Sequence, residues 1–101
     1  MRERNISIPT DQLTGFCRRH HIRRLALFGS VLDRSFRDDS DVDVLVEFAP
    51  DHAVGLIRFA GLEIELSEIL ARTVDLNTVD GLSRHFRDEV VAEAEVLYVE
   101  P

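Results

Sequence analysis

Apolar and polar positions divide the chain into alternating helical and extended segments. Over residues 1–9, Ile6 and Ile8 alternate with polar positions up to Pro9, which predicts an extended N-terminal arm. Leu13, Phe16, Cys17 and His20 then recur at helical spacing and predict a helix over 11–21, with Thr10 as its N-cap. The apolar run over 24–28 reads as a strand, and 31–34 as a short helical turn. From 41 to 48 the period changes to two: Val42, Val44, Val46 and Phe48 take one face, Asp41 and Asp43 the other.

The second half repeats these signals. Ala49, Pro50 and Asp51 end the strand, and a helix over 54–71 turns Leu56, Phe59, Leu62, Leu66, Ile69 and Leu70 inward, with Arg58, Glu63, Glu65 and Glu68 on a solvated face. Gly55 marks its start and Gly61 a close packing contact. Residues 72–78 form a third strand with Val74 and Leu76 on one face and Thr73, Asp75 and Asn77 on the other. Ser83 caps a last helix running to about residue 94, whose inner stripe is Phe86, Val90 and Ala94. Residues 95–99, with the one tyrosine Tyr98, close the chain as a short edge strand. The expected class is α/β (α+β): a small mixed β-sheet with helices packed mainly on one side. Succession of the first two strands around a long loop fits this better than a Rossmann unit.

At 101 residues the chain is expected to form one domain, too short for a second, substrate-binding one. Any acceptor must then bring its own binding surface. The single Cys17 excludes an internal disulfide and a multi-cysteine zinc site, and reads as a buried small hydrophobe. With neither a signal-like N-terminus nor a membrane-length apolar run, a cytoplasmic location is expected. Net charge is −7, and all twelve basic residues are Arg. Such acidity argues against nucleic acid as the main partner. The arginines suit bidentate contacts to phosphate or carboxylate, or reflect genomic composition.

Two features carry chemistry. Asp41 and Asp43 project from one strand face toward one point, and two like charges held together call for a hard divalent cation; the pair reads as a Mg²⁺ site. Gly29-Ser30 lies between a strand and a helical turn, where backbone N–H groups and the Ser30 hydroxyl can meet phosphate oxygens and Gly29 permits close approach. If the third strand pairs beside the second, Asp75 joins the aspartates; Asp80 is a rival that more readily shapes the turn before Gly81. Asp38 and Asp39 read as turn residues. Arg18, Arg19, Arg23 and Arg24 have three readings: a solvated helix end favoured by the dipole, contact with an acidic partner, or contact with triphosphate. His20 and His21 read as structural or exposed.

Gly29-Ser30, ten residues, then Asp41-Val42-Asp43, followed by Val-Leu-Val-Glu-Phe and by Thr73-Val74-Asp75-Leu76, resembles the signature of the DNA polymerase β-like nucleotidyltransferase superfamily. Its small prokaryotic branch, the minimal nucleotidyltransferase (MNT) domains, is the nearest match, over about 13–98. The resemblance implies the nucleotidyltransferase fold and a reaction in which two Mg²⁺ ions are held by Asp41 and Asp43, with Asp75 contributing to the catalytic one and helping deprotonate the acceptor. It implies that Gly29 and Ser30 hold the β- and γ-phosphates of ATP, the expected donor. Where the family often has an Arg followed by a small residue, and a Pro before the Asp-Ser-Asp stretch, this chain has Asp33-Arg34 and Asp38, so Arg34 and Arg37 are both left as candidates for the triphosphate. MNT domains commonly serve as antitoxins paired with a HEPN-domain RNase, and adenylylate a tyrosine on that toxin. Two readings follow: a protein adenylyltransferase that neutralises a HEPN toxin, or a non-catalytic antitoxin that binds and occludes it. A small-molecule acceptor is disfavoured by length, and an uncovered sheet edge leaves room for self-association.

Overall fold

The computed structural model describes residues 5–52 and 54–101, so the first four residues of the expected arm lie outside the described residues. Four strands form one sheet in the order β3-β2-β1-β4. Strand β1 (Ile22–Phe28) and strand β2 (Val42–Phe48) are antiparallel neighbours; β3 (Val74–Thr78) runs parallel to β2, and β4 (Glu95–Val99) antiparallel to β1. The mixed sheet and its element order agree with the sequence expectation.

Helix α1 (Thr10–Arg19) and helix α2 (Leu56–Leu70) cover one face. The alternation in β2 explains why: Val42, Val44 and Val46 are buried there against Leu13, Phe16, Cys17, Leu62, Leu66 and Leu70. Burial pushes the Cys17 thiol up to about 12, so it behaves as an apolar filler. Leu66 is fully buried at the centre of this layer. Leu66→Ala should lower the unfolding free energy by about 2–5 kcal/mol in urea titration, through lost burial and the cavity left behind.

The third helix, α3 (Arg87–Glu93), lies on the opposite face. Val90, Val91 and Ala94 pack there on a small second core of Ala26, Leu45 and Leu82. Two helices against one is the sense in which the helices sit mainly on one side.

Several local expectations are corrected. The cap of α1 is Pro9, not Thr10, and no side chain caps it; Thr10 is already helical. The helix stops at Arg19 because His21 takes a positive φ of 55°. Leu56 continues the apolar stripe of α2 in sequence but is 88 % exposed, since the first helical turn has no sheet beneath it. Gly61 makes no close contact: a Cβ there would meet nothing within 4 Å. Ser83 does not cap α3, which begins four residues later; its hydroxyl accepts the His85 N–H at 3.4 Å, and Phe86, at the cap position, is 48 % exposed.

The acidic face of α2 is also not simply solvated. Glu65 bridges to α1, pairing with Arg19 and, through Oε1, with His20 Nε2 at 3.0 Å. Burial pushes the Glu65 carboxyl up, but the hydrogen bonds from Arg19 and His20 outweigh it and hold the group below its usual range. Arg24 approaches Glu47 across the hairpin at 3.8 Å. Two of the four clustered arginines therefore have acidic partners within the chain. His21 stacks on His52, with ring centroids 3.9 Å apart.

Candidate functional site

The site forms on the sheet face opposite α1 and α2, where β1, β2 and β3 bring three segments together. In β2, parity sends Val42 and Val44 into the core and leaves Asp43 on the other face. The β1–β2 register pairs Phe28 with Asp43, so the residue following β1, Gly29, lies beside the Asp43 side chain. The β2–β3 register pairs Asp43 with Asp75. Gly29 and the two aspartates are thus brought together by strand register alone.

Gly29 opens a 3-10 turn, Gly29–Leu32, two residues earlier than the sequence suggests. Its φ is +76°, and a Cβ built there would collide with Asp43 Oδ2. Only glycine satisfies both constraints. Ser30 follows in the same turn, and the first N–H groups of such a turn have no partner within it. Asn5 braces the far end: its Nδ2 donates to the Val31 carbonyl at 2.6 Å and the Asp33 carbonyl at 2.9 Å.

Asp43 is half-buried and carries the electrostatic signature of the site. Its pKa is raised first by desolvation, then by the charge of Asp75 and a carboxyl–carboxyl hydrogen bond with it, and last by the charge of Asp41. Asp41 precedes β2 and is exposed; it acts on Asp43 through charge. Among the described residues no three His, Cys, Asp or Glu side chains stand close enough to enclose a metal ion. The Asp43–Asp75 pair fits a hard divalent cation by its donor chemistry: oxygen ligands only, and a like-charge repulsion that a cation relieves. Asp80 is in the turn after β3, where its carbonyl accepts from Arg87 Nη2 at 3.2 Å, so the rival carboxylate stays outside the register pair.

Arg72 is a residue that sequence reasoning passed over. Its Nη2 donates to the Arg37 carbonyl at 2.9 Å and the Ser40 carbonyl at 3.0 Å, and its guanidinium lies 4.5 Å from the centroid of Phe36. The side chain thereby ties the loop leading into Asp41 to the strand that carries Asp75. No spacing rule marks it; only its position just before β3 could have drawn attention. Arg37, by contrast, contributes backbone groups to the loop, its N–H bonding to Ser40 Oγ at 3.0 Å.

Beside Gly29 opens a cavity of about 630 Å³, bounded by Leu32, Asp33, Glu89, Val90 and Glu93. Gly29 itself lines this cavity, and Asp33, Glu89 and Glu93 give its wall an acidic character.

A glycine-led turn facing Asp43 across an antiparallel hairpin, with Asp75 beside it on the adjacent parallel strand, is an arrangement suited to phosphate and a divalent metal. Residues 11–101 match the family described as "Polymerase beta, Nucleotidyltransferase", and the chain belongs to it. The chain is 35 % identical over 93 residues to a Thermococcus cleftensis protein named protein adenylyltransferase MntA, spanning 92 % of this chain and 90 % of that one. Its fold is similar to that in a toxin–antitoxin crystal structure with AMP-PNP, at a TM-score of 0.72 and 22 % identity over 92 % of this chain and 75 % of the other. It is also similar to a chain in the complex of a tri-AMPylated Shewanella oneidensis HEPN toxin with MNT antitoxin, at a TM-score of 0.64 and 22 % identity over 90 % and 70 %. Among the described residues, no helix is long and apolar enough to cross a membrane.

Proposed function

We propose that the chain is a Mg²⁺-dependent protein adenylyltransferase that transfers AMP from ATP to a tyrosine hydroxyl of a HEPN toxin, and so acts as its antitoxin. The observation that carries this reading is the convergence of Gly29, Asp43 and Asp75 by strand register, in a chain 35 % identical to a named protein adenylyltransferase. The solved complexes of similar fold, one with AMP-PNP and one with an AMPylated HEPN toxin, make ATP and such a toxin the donor and acceptor to test first.

Asp43 and Asp75 would hold the metal, and Asp41, exposed just before β2, would complete the set when the metal is bound. When bound, Mg²⁺ supplies positive charge to the phosphates and to the attacking oxygen. The N–H groups of Gly29 and Ser30, with the Ser30 hydroxyl, face the phosphate tail and hold the leaving pyrophosphate. Asp75, at the open side of the carboxylate pair, receives the proton of the acceptor hydroxyl as its oxygen attacks the α-phosphorus.

The test is intact mass of the protein encoded next to this chain, read as its HEPN partner, after incubation with the chain, ATP and Mg²⁺. A gain of one or more AMP units, on a tyrosine located by peptide mapping, is expected. A stable complex that neutralises the RNase without any mass gain would instead identify an occluding antitoxin.

A further inference from the structure

Strand β3 is the outermost strand on its side of the sheet, so one row of its backbone amides faces away from β2. Such an edge is ordinarily left to water, blunted by charge or paired with another chain. Here two side chains of α2 close it. Ser67 Oγ accepts the Val74 N–H at 3.0 Å while donating to the Glu63 carbonyl at 2.8 Å. Glu63 Oε2 accepts the Leu76 N–H at 2.7 Å, within the range of charge-assisted bonds. Val74 and Leu76 are buried, and they flank Asp75.

We infer that Glu63 and Ser67 are positioning residues for Asp75. The inference rests on reading Asp75 as a carboxylate of the reaction. Asp75 pairs in register with Asp43, whose like charge pushes against it. The ladder to β2 opposes that push on the inner edge of β3, including the Val42 N–H to Thr73 carbonyl bond at 2.8 Å. On the outer edge, the side-chain bonds from α2 take the place of the missing neighbour strand. The outer edge is then held at the two residues either side of Asp75 and the inner edge at Thr73, which together set the position of its carboxylate relative to Asp43. Glu63 and Ser67, four positions apart, share one helix face, so a single helix orientation supplies both contacts.

The experiment compares wild type, Glu63→Leu, Glu63→Gln and Ser67→Ala in AMP transfer to the HEPN partner, alongside amide hydrogen exchange at Val74 and Leu76. Glu63→Leu should speed exchange at Leu76 and lower kcat roughly tenfold or more, with KM for ATP within about twofold, since misplaced groups cost turnover rather than uniform binding. Glu63→Gln, which keeps an acceptor oxygen, should restore both. Ser67→Ala should act in the same direction at Val74, and it carries the test if Glu63→Leu does not fold. Fast exchange at Leu76 with wild-type kcat, or a Glu63→Gln variant as impaired as Glu63→Leu, would overturn the inference. If wild type transfers no AMP, the proposed activity fails on its own account. Mn²⁺ affinity then decides the positioning role: weakening of roughly tenfold or more in Glu63→Leu supports it, because site geometry sets metal affinity, and unchanged affinity refutes it.

Discussion

Asp43→Asn should reduce AMP transfer by roughly 10²–10³-fold, because the change removes charge from the point where transition-state charge must be met. The same variant should be more stable than wild type when metal-free at neutral pH. Asp43 ionises reluctantly, through desolvation and through repulsion by Asp75 and then Asp41. A carboxyl whose folded pKa is raised keeps its proton where the unfolded chain has lost it. Its stabilising contribution is complete below the ordinary aspartate pKa and disappears as pH rises through the raised value. Thermal unfolding without divalent ions should therefore show the midpoint of Asp43→Asn gaining on that of wild type as pH rises over that window. Adding Mg²⁺ at neutral pH should raise the wild-type midpoint and leave the variant nearly unmoved, since a ligand stabilises only the state that binds it. A variant that matches wild type in both activity and pH slope would remove Asp43 from the site.

Gly29→Ala should both destabilise the fold and silence the enzyme. The residue sits at φ +76°, and its Cβ would collide with Asp43 Oδ2. Strained backbone of this kind costs about 1–3 kcal/mol, to be read from urea unfolding. Displacing Asp43 to make room should lower turnover by roughly 10²-fold, the scale expected of a misplaced reacting group. Gly61→Ala is the control: it lies within α2 with open space around it, and alanine there should stabilise by about 0.5–1 kcal/mol with no loss of transfer. If Gly29→Ala retains full activity, the close approach of Gly29 and Asp43 has no catalytic meaning.

The parts of the site that depend on strand parity were legible from sequence. Alternation over Asp41–Phe48 fixes which face Asp43 takes, and the same rule applied to Thr73–Asn77 puts Asp75 on that face once the strands pair. What parity cannot convey is how one element meets another. Leu56 and Phe86 each extend an apolar stripe, but exposure depends on whether packing surface continues beneath them, and in both cases it does not. Glu63 and Glu65 lie on the polar side of α2 by periodicity. One reaches a strand edge and the other reaches α1, because tertiary placement puts unpaired donors within range of those side chains. Arg72, Asn5 and Ser67 are invisible for the same reason: each serves backbone groups of another segment, and backbone groups leave no pattern of residue types. The opposite-side position of α3 likewise follows from the route of the chain after β3, which no local signal records.

The chain route has one more consequence, for the order in which the molecule assembles. Gly29 and Asp43 are joined by the β1–β2 hairpin, the shorter of the two connections that build the site. Asp75 arrives only after the chain has crossed back through α2 to run parallel with β2. Closing the longer, parallel connection carries the greater entropic delay, so contacts of small sequence separation form ahead of it. The two halves of the site thus have different folding histories. The hairpin can form with Asp41 and Asp43 at its loop end, and Asp75 docks when α2 and its core are already in place to hold it there.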